Sequence, residues 1–278
     1  LVILKKLEDI LKGSRPMKIG VFSDIHGNIH ALKEVLRDVK SRGVDMVFCG
    51  GDLVGYGAFP NEVIALLRQK HIPTVMGNYD EGIGHDSDDC GCAYRDDLSK
   101  ELGKRSIAWT REKVTPYNKA YLRGLLQRIS FEVYDKKVLL VHGSPRKINE
   151  YLFEDRPYAS VIRMFDSEQV DVIVCGHTHL PYIKDIIVEE RWEAVEGPGD
   201  GKVNRKKPGG RFILINSGSV GKPKDGDPRA TYALVDFKED GITYEIIRVP
   251  YDVEAMASAV EQSGLPVEYA DMLRRGSG

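Results

Sequence analysis

Apolar and polar positions in the first part of the chain follow two periods in turn. Met17-Lys18-Ile19-Gly20-Val21-Phe22-Ser23 is a short apolar run with β-branched residues and predicts a buried strand. Asn28 is a good N-cap, and Ile29, Leu32, Val35, Leu36 and Val39 recur at helical spacing until Gly43 ends the helix. Asp45 to Cys49 predicts a second strand, Pro60 to Lys70 a second helix with Val63, Ile64 and Leu67 inward, and Pro73 to Met76 a third strand. This β-α-β-α-β order implies parallel strands with right-handed crossovers.

Residues 80–98 break the rhythm with many Asp and Gly and read as a loop-like insertion. Helical stretches follow at about 99–113 and 116–126, with Pro116 at an N1 position. Ser130 to Tyr134 and Lys137 to Val141 read as two strands joined at Asp135-Lys136, which signals antiparallel pairing. A helix near 157–167 leads to the strand Val172 to Cys175. Strands at 181–188, 211–216, 230–237 and 242–249 come in succession and predict a second, mostly antiparallel sheet. Residues 189–210 lack periodicity and predict a long mobile hairpin loop, and a terminal helix covers about 252–263. No repeat or linker splits the chain. The reading is one domain over 17–263 with insertions near 80–98 and 189–210, an N-terminal extension over 1–16 that ends before Met17, and a tail over 264–278 with Gly276-Ser277-Gly278 unstructured.

Composition narrows the function classes. Among 278 residues, 40 Lys and Arg face 42 Asp and Glu, for a formal net charge of -2. That is too neutral for a dedicated nucleic-acid coat or a polybasic membrane binder. With 42% hydrophobic residues the chain can bury a large core. No stretch approaches the roughly 20 apolar residues of a membrane span. Four cysteines do not make a disulfide framework; Cys49 and Cys175 close apolar runs and read as core thiols. A cytoplasmic protein is expected.

Five motifs, each placed after a predicted strand, offer metal-type ligands: Asp24-Ile25-His26-Gly27-Asn28, Gly50-Gly51-Asp52, Gly77-Asn78-Tyr79-Asp80, Val141-His142-Gly143 and Gly176-His177-Thr178-His179. The carboxyl ends of strands in open α/β sheets form the ligand crevice. Imidazole and carboxylate together suit Mn, Fe, Zn, Ni or Co, where carboxylate alone suits Mg or Ca. The seven candidates Asp24, His26, Asp52, Asn78, His142, His177 and His179 are too many for one tetrahedral ion and enough for two ions with a shared ligand. Asp52 is the bridging candidate, because it is the strong ligand of its motif and has two oxygens. Two ions roughly 3.5–4 Å apart would let a shared water lose its proton and attack phosphorus in line.

This ordered set, over about 17–250, resembles the calcineurin-like metallophosphoesterase superfamily. The resemblance implies a four-layer α/β/β/α sandwich with two mixed β-sheets and a two-metal site at one edge. It implies that Asp24, His26 and His179 hold one metal, that Asn78, His142 and His177 hold the other, and that Asp52 bridges. Asn216-Ser217-Gly218-Ser219-Val220-Gly221 is similar to a segment that lies near the metals in small prokaryotic phosphodiesterase-like members. One position departs: Tyr79 stands where the family has the His that protonates the leaving oxygen. This favours the prokaryotic subgroup and leaving groups of low pKa, for which protonation matters less.

The expected function is therefore a metal-dependent phosphoesterase, a phosphodiesterase first. A metal-bridging hydroxide attacks, with Asp52, Asn78, His142 and Tyr79 as catalytic candidates. A phosphomonoesterase acting on nucleotides or phosphoproteins, and a non-catalytic protein-binding scaffold, are the alternatives; all seven ligand positions are filled, which argues against the scaffold. The partner expected is a small phosphate ester, a nucleotide among the options, rather than a membrane or nucleic acid. Asn28, Tyr56, Arg146 and Ser219 are the candidate substrate contacts. His85 is a candidate displaced acid, Gly84 to Cys92 a candidate acidic lid, and Lys202, Arg205, Lys206 and Lys207 a small basic cluster.

Overall fold

The computed structural model describes residues 16–94, 96–196, 202–207 and 209–278. All but Pro16 of the expected N-terminal extension lies outside the described residues. Strand β1 (Met17–Phe22) is followed by helix α1 (Ile29–Ser41), β2 (Met46–Cys49) and α2 (Pro60–Gln69). Helices α3 (Asn78–Gly84), α4 (Asp97–Lys113) and α5 (Pro116–Arg123) lead to β3 (Arg128–Val133) and β4 (Lys136–Val141). Helix α6 (Tyr158–Glu168), β5 (Val172–Cys175), β6 (Tyr182–Val188), β7 (Arg191–Glu196), β8 (Lys202–Lys207) and β9 (Gly210–Asn216) follow. The chain closes with β10 (Ala230–Lys238), β11 (Gly241–Val249), α7 (Val253–Ser263) and α8 (Glu268–Arg275).

Two mixed sheets, ordered β11-β10-β1-β2 and β3-β4-β5-β9-β6, pack face to face. The period of two along each strand decides which side chains meet. Val138 and Leu140 of β4, Val172 and Val174 of β5, and Ile213 and Ile215 of β9 point between the sheets, onto Ile19, Val21 and Val235 of the other sheet. Phe48 of β2 and Phe131 of β3 stack across this interface with centroids 4.9 Å apart. The intervening residues Leu139, Ile173 and Leu214 face outward and lie beneath Val161, Met164 and Phe165 of α6. On the opposite outer face, Phe22 and Tyr232 lie beneath α1 and α2. The layers are thus helix, sheet, sheet, helix, and burying each such large side chain contributes about 1.5–3 kcal/mol. Strands β1 and β2 run parallel, as do β4, β5 and β9, so their carboxyl ends share one edge. No helix among the described residues is long and apolar enough to cross a membrane.

Five expectations need correction. Residues 73–76 form only isolated bridges, Thr74 to Cys49 and Val75 to Leu126, not a strand. The insertion at 80–98 is not all loop: α3 starts at Asn78, and α4 starts at Asp97 with Asp96 as N-cap. The four late strands do not share a sheet, because β10 pairs with β1 while β9 pairs with β5 and β6. The loop over 189–210 contains an antiparallel ribbon, β7 on β8, whose side chains lie outside the described residues. The tail over 264–278 contains α8, whose Tyr269, Ala270 and Leu273 pack on Met256, Ala257 and Val260 of α7.

Candidate metal centre

Each candidate ligand stands just beyond a strand end or at a helix start. Asp24 and His26 follow β1, Asp52 follows β2, His142 follows β4, and His177 and His179 follow β5; Asn78 opens α3. The backbone turns sharply there. Ten non-glycine residues among those described have positive φ, and six of them are at this site: Asp24, His26, Asp52, Tyr56, His177 and His179. A non-glycine residue held left-handed costs about 1–3 kcal/mol, a cost native structures carry mainly at functional sites. The glycines between them allow close approach. A Cβ on Gly77 would stand 2.1 Å from Asp52 Oδ1, and one on Gly176 would stand 2.4 Å from Asp24 Oδ2.

The donors fall into two buried groups, Asp24 with His26 and His179, and Asp52 with His142 and His177, each with its donor atoms within 4.8 Å of one another. Each group draws on both sheets. Asp52 Oδ2 lies between them, 3.6 Å from His26 Nε2 and 3.5 Å from His142 Nε2. Its other oxygen accepts the Tyr79 N–H at 2.8 Å. Asp24 Oδ2 accepts the His177 N–H at 3.0 Å, while Asp24 Oδ1 and His177 Nε2 are buried without any hydrogen-bond partner.

The hydrogen bonds fix the imidazoles as ligands. His26 Nδ1 faces Val54 O at 2.9 Å, His142 Nδ1 faces Gly50 O at 2.8 Å, and His179 Nδ1 faces Lys222 O at 2.6 Å. A carbonyl only accepts, so each Nδ1 carries a proton, and His26 and His179, which burial keeps neutral, keep the lone pair on Nε2. His26 Nε2 then meets His179 Nε2 at 3.2 Å, two lone pairs with no proton between them. Asn78 Nδ2 donates to Cys90 O at 2.8 Å, which turns Oδ1 toward His142 Nε2 at 2.9 Å, a second clash of acceptors unless His142 is protonated. A cation in the first group would resolve the His26–His179 clash, and one in the second would take the place of the His142 proton, so the residues fit two metals. Burial holds His26 near pKa 4 and His177 near 3, the neutral form a ligand needs. Burial also presses on His142, but the Asp52 carboxylate outweighs it and lifts that imidazole to about 10. Burial raises Asp52, and the His142 and His26 imidazoles outweigh it, leaving the carboxylate at about 2. Burial raises Asp24 to about 6.

Asp80 does more than cap a turn. Its carboxylate accepts N–H bonds from Asp52 at 2.8 Å, Leu53 at 2.9 Å and Gly77 at 3.0 Å, and so ties the second and third motifs together. Tyr79 is 1% exposed, with its ring edge-on to His26 and its hydroxyl without a hydrogen-bond partner. Burial raises its pKa well above 10, so it is a hydrogen-bond donor and a poor acid.

Asp52, Asn78, His177 and His179 open onto a cavity of about 370 Å³ that Tyr56 and Tyr79 also line. Of the four expected substrate contacts, Tyr56 alone lies there. Asn28 is fully buried and occupied, its Oδ1 accepting the Ala31 N–H and its Nδ2 donating to Gly221 O. Ser219 Oγ donates to Asp24 O and accepts the Lys222 N–H, so it shapes the loop rather than meeting substrate. Arg146 points to solvent and pairs with Glu150. His85 is exposed and bonds to Glu81 O, away from the cavity. Ion pairs from Asp86 to Lys119 and from Asp88 to Arg111 pin the acidic loop to α4 and α5. Its continuation, Cys92 to Tyr94, forms a cavity wall. Sequence reasoning missed Lys222, Lys224, Tyr151 and Tyr269, all on the cavity. The lysines follow the Asn216 motif by a few residues, which was the available signal.

A sandwich of two mixed sheets that gathers two Asp and His groups at one edge defines a phosphoesterase with a two-metal centre. The chain belongs to the calcineurin-like phosphoesterase superfamily, whose domain model matches residues 17–240. Members of this superfamily use two divalent metals. The chain is 36% identical over 251 residues to the uncharacterized protein MJ0912 of Methanocaldococcus jannaschii, covering 89% of this chain and 93% of that one. It is 24% identical over 220 residues to phosphodiesterase YfcE of Escherichia coli, covering 79% of this chain and 88% of that one. The crystal structure of a metallophosphoesterase from Sphaerobacter thermophilus superposes with a TM-score of 0.66 at 29% identity, over 94% of this chain and 99% of that one.

Proposed function

We propose that the chain is a phosphodiesterase that hydrolyses a small phosphate ester at the paired Asp and His groups. The observation that carries this reading is the position of Asp52 Oδ2, within 3.6 Å of an imidazole Nε2 from each group. Asp24, His26 and His179 would hold one divalent cation, Asn78, His142 and His177 the other, and Asp52 would bridge. Bound there, the cations would draw charge from the ester oxygens and make water a nucleophile near neutral pH. The chain's own contribution is positional. The Tyr79 N–H aims Asp52, Cys90 O aims Asn78, and three carbonyls aim the imidazoles. In hydrolysis the water oxygen bonds to phosphorus and the bond to the leaving oxygen breaks. Tyr79 would donate a hydrogen bond to that oxygen without giving up its proton, so substrates that depart as stable anions are preferred. The similarity to YfcE, named a phosphodiesterase, supports a diester over a monoester. Manganese suits the mixed nitrogen and oxygen donors. The tyrosines of the cavity suit an aryl or nucleoside substituent. Cytoplasmic work goes with this reading, with Cys49 and Cys175 as buried free thiols.

The test uses chelator-stripped protein reloaded with manganese, zinc or magnesium and assayed on bis(p-nitrophenyl) phosphate and p-nitrophenyl phosphate. Turnover of the diester that needs added metal and is lost in Asp52→Asn is expected. Absence of turnover on both esters, with no metal retained by elemental analysis, would refute it.

A further inference from the structure

Lys222 sits where a charge is expensive: burial, and then the Lys224 ammonium, pull its pKa well below the ordinary lysine value. It is 6% exposed, and a buried ammonium is costly unless an anion faces it. Its main chain is fixed beside the first donor group: its carbonyl accepts from His179, and its N–H donates to Ser219 Oγ. The ammonium lies 4.8 Å from the Tyr56 ring centroid and 5.8 Å from that of Tyr269. Such cation–π contacts offset only part of the desolvation. No ion pair or hydrogen bond to this ammonium is found among the described residues. Gly278 packs against it, so closely that a Cβ there would stand 2.3 Å from Nζ. Lys222 and Lys224 both line the cavity onto which His177 and His179 open.

Tyr151 and Phe153 line the same cavity. Tyr151 lies 4.1 Å from His177, against the second donor group, and stacks on Phe153 with planes 8° apart. On the phosphodiesterase reading the two donor groups would take the ester phosphate, which leaves a cation beyond His179 for another group. Because Lys224 lines the same cavity, the local charge suits a phosphate better than a single carboxylate.

We propose that the cavity binds a phosphodiester that carries a second phosphate on one substituent and an aromatic ring on the other, with Lys222 reading the second phosphate. This rests on the phosphodiesterase reading and adds a direction to it. The aromatic group lies toward Tyr151 and Phe153, and the phosphate-bearing group lies toward Lys222. Lys222 is a specificity residue here and takes no part in bond breaking.

The test compares two esters on the manganese-loaded enzyme: thymidine 5′-(p-nitrophenyl phosphate) and the same ester with a 3′-phosphate. Hydrolysis of either adds water across one P–O bond and releases p-nitrophenolate. The 3′-phosphate is expected to raise kcat/KM by ~10-fold or more, mainly through KM, as a charge-assisted bond would. Lys222→Met should erase the preference, and Lys222→Arg should retain most of it. A wild-type ratio at or below one, or a ratio unchanged in Lys222→Met, overturns the proposal. Calorimetric binding of thymidine 3′,5′-bisphosphate against thymidine 5′-monophosphate makes the same comparison without turnover. Equal affinity there overturns the proposal on its own. Failure to hydrolyse either ester, with the bisphosphate still preferred in binding, would instead sink the phosphodiesterase reading.

Discussion

Asp80 touches no reacting group, yet the site depends on it. Its carboxylate is fully buried and accepts three backbone N–H bonds, all of them from residues that are or directly flank a candidate metal ligand. In Asp80→Asn one carboxylate oxygen becomes an NH2 group, which faces a donor with a donor. At least one charge-assisted bond, worth about 1.5–3 kcal/mol, is lost, and the others weaken to neutral bonds worth about 0.5–1.5 kcal/mol. The sum is about 3–6 kcal/mol. Removing a charge that burial and Asp52 already disfavour, holding the Asp80 pKa near 7, returns part of it. The net expectation is a loss of about 3 kcal/mol from a total of about 5–15. Asp52 also has a left-handed backbone, which these bonds keep in place. Metal affinity should therefore fall ~10–100-fold, as for other residues that orient ligands. Urea unfolding of the metal-free protein measures the first effect, and metal titration with a competing chelator measures the second. An Asp80→Asn protein that unfolds at the wild-type midpoint and binds metal equally well would refute the reasoning.

The remaining predictions concern acid catalysis, pH and the surface. Tyr79→His should raise turnover of an alkyl phosphodiester by up to ~10²-fold more than that of an aryl diester, because general acid help matters most for poor leaving groups; equal gains in the paired kinetics would show that a missing acid is not the limitation. In chelator-treated protein the folded His142 pKa of about 10 exceeds its ordinary 6.5. Its stabilisation is therefore complete below 6.5 and fades as pH rises through about 10, by up to about 1.4 kcal/mol per unit. A Tm that fails to drop between about pH 7 and about pH 9 in calorimetry without metal contradicts this linkage. Metal loading reverses the trend, since a ligand imidazole must be neutral. Arg146→Ala should leave kcat/KM within about twofold, as expected for an exposed ion pair with Glu150; a larger drop would restore Arg146 as a substrate contact.

The strands that carry ligands were legible because each is a short apolar run followed within two residues by Gly or by a candidate ligand. What stayed hidden has particular causes. Helix α3 was masked by Gly82 and Gly84, which read as loop, although a side chain at Gly82 would collide with Cys90 and one at Gly84 would crowd Leu122 and Arg123. Helix α8 is polar overall, yet Tyr269, Ala270 and Leu273 at helical spacing face α7. Sheet membership of β10 was not readable, since its pairing with β1 spans most of the chain. Lys222 sits in Gly-Lys-Pro-Lys, a string that looks solvated, and only the fold brings Tyr56 and Tyr269 around it. Arg146 failed the other way: closeness in sequence to His142 did not place its side chain in the cavity.

Each donor group takes ligands from both sheets: Asp24 and His26 from one with His179 from the other, and Asp52 from one with His142 and His177 from the other. A bound ion is therefore a clasp between two layers, and its affinity is a gauge of how well those layers are seated. Phe48 and Phe131 stack across the same interface and are not themselves ligands. Trimming either ring should loosen the clasp at a distance, so a metal titration reports on the hydrophobic joint between the sheets as well as on the ligands.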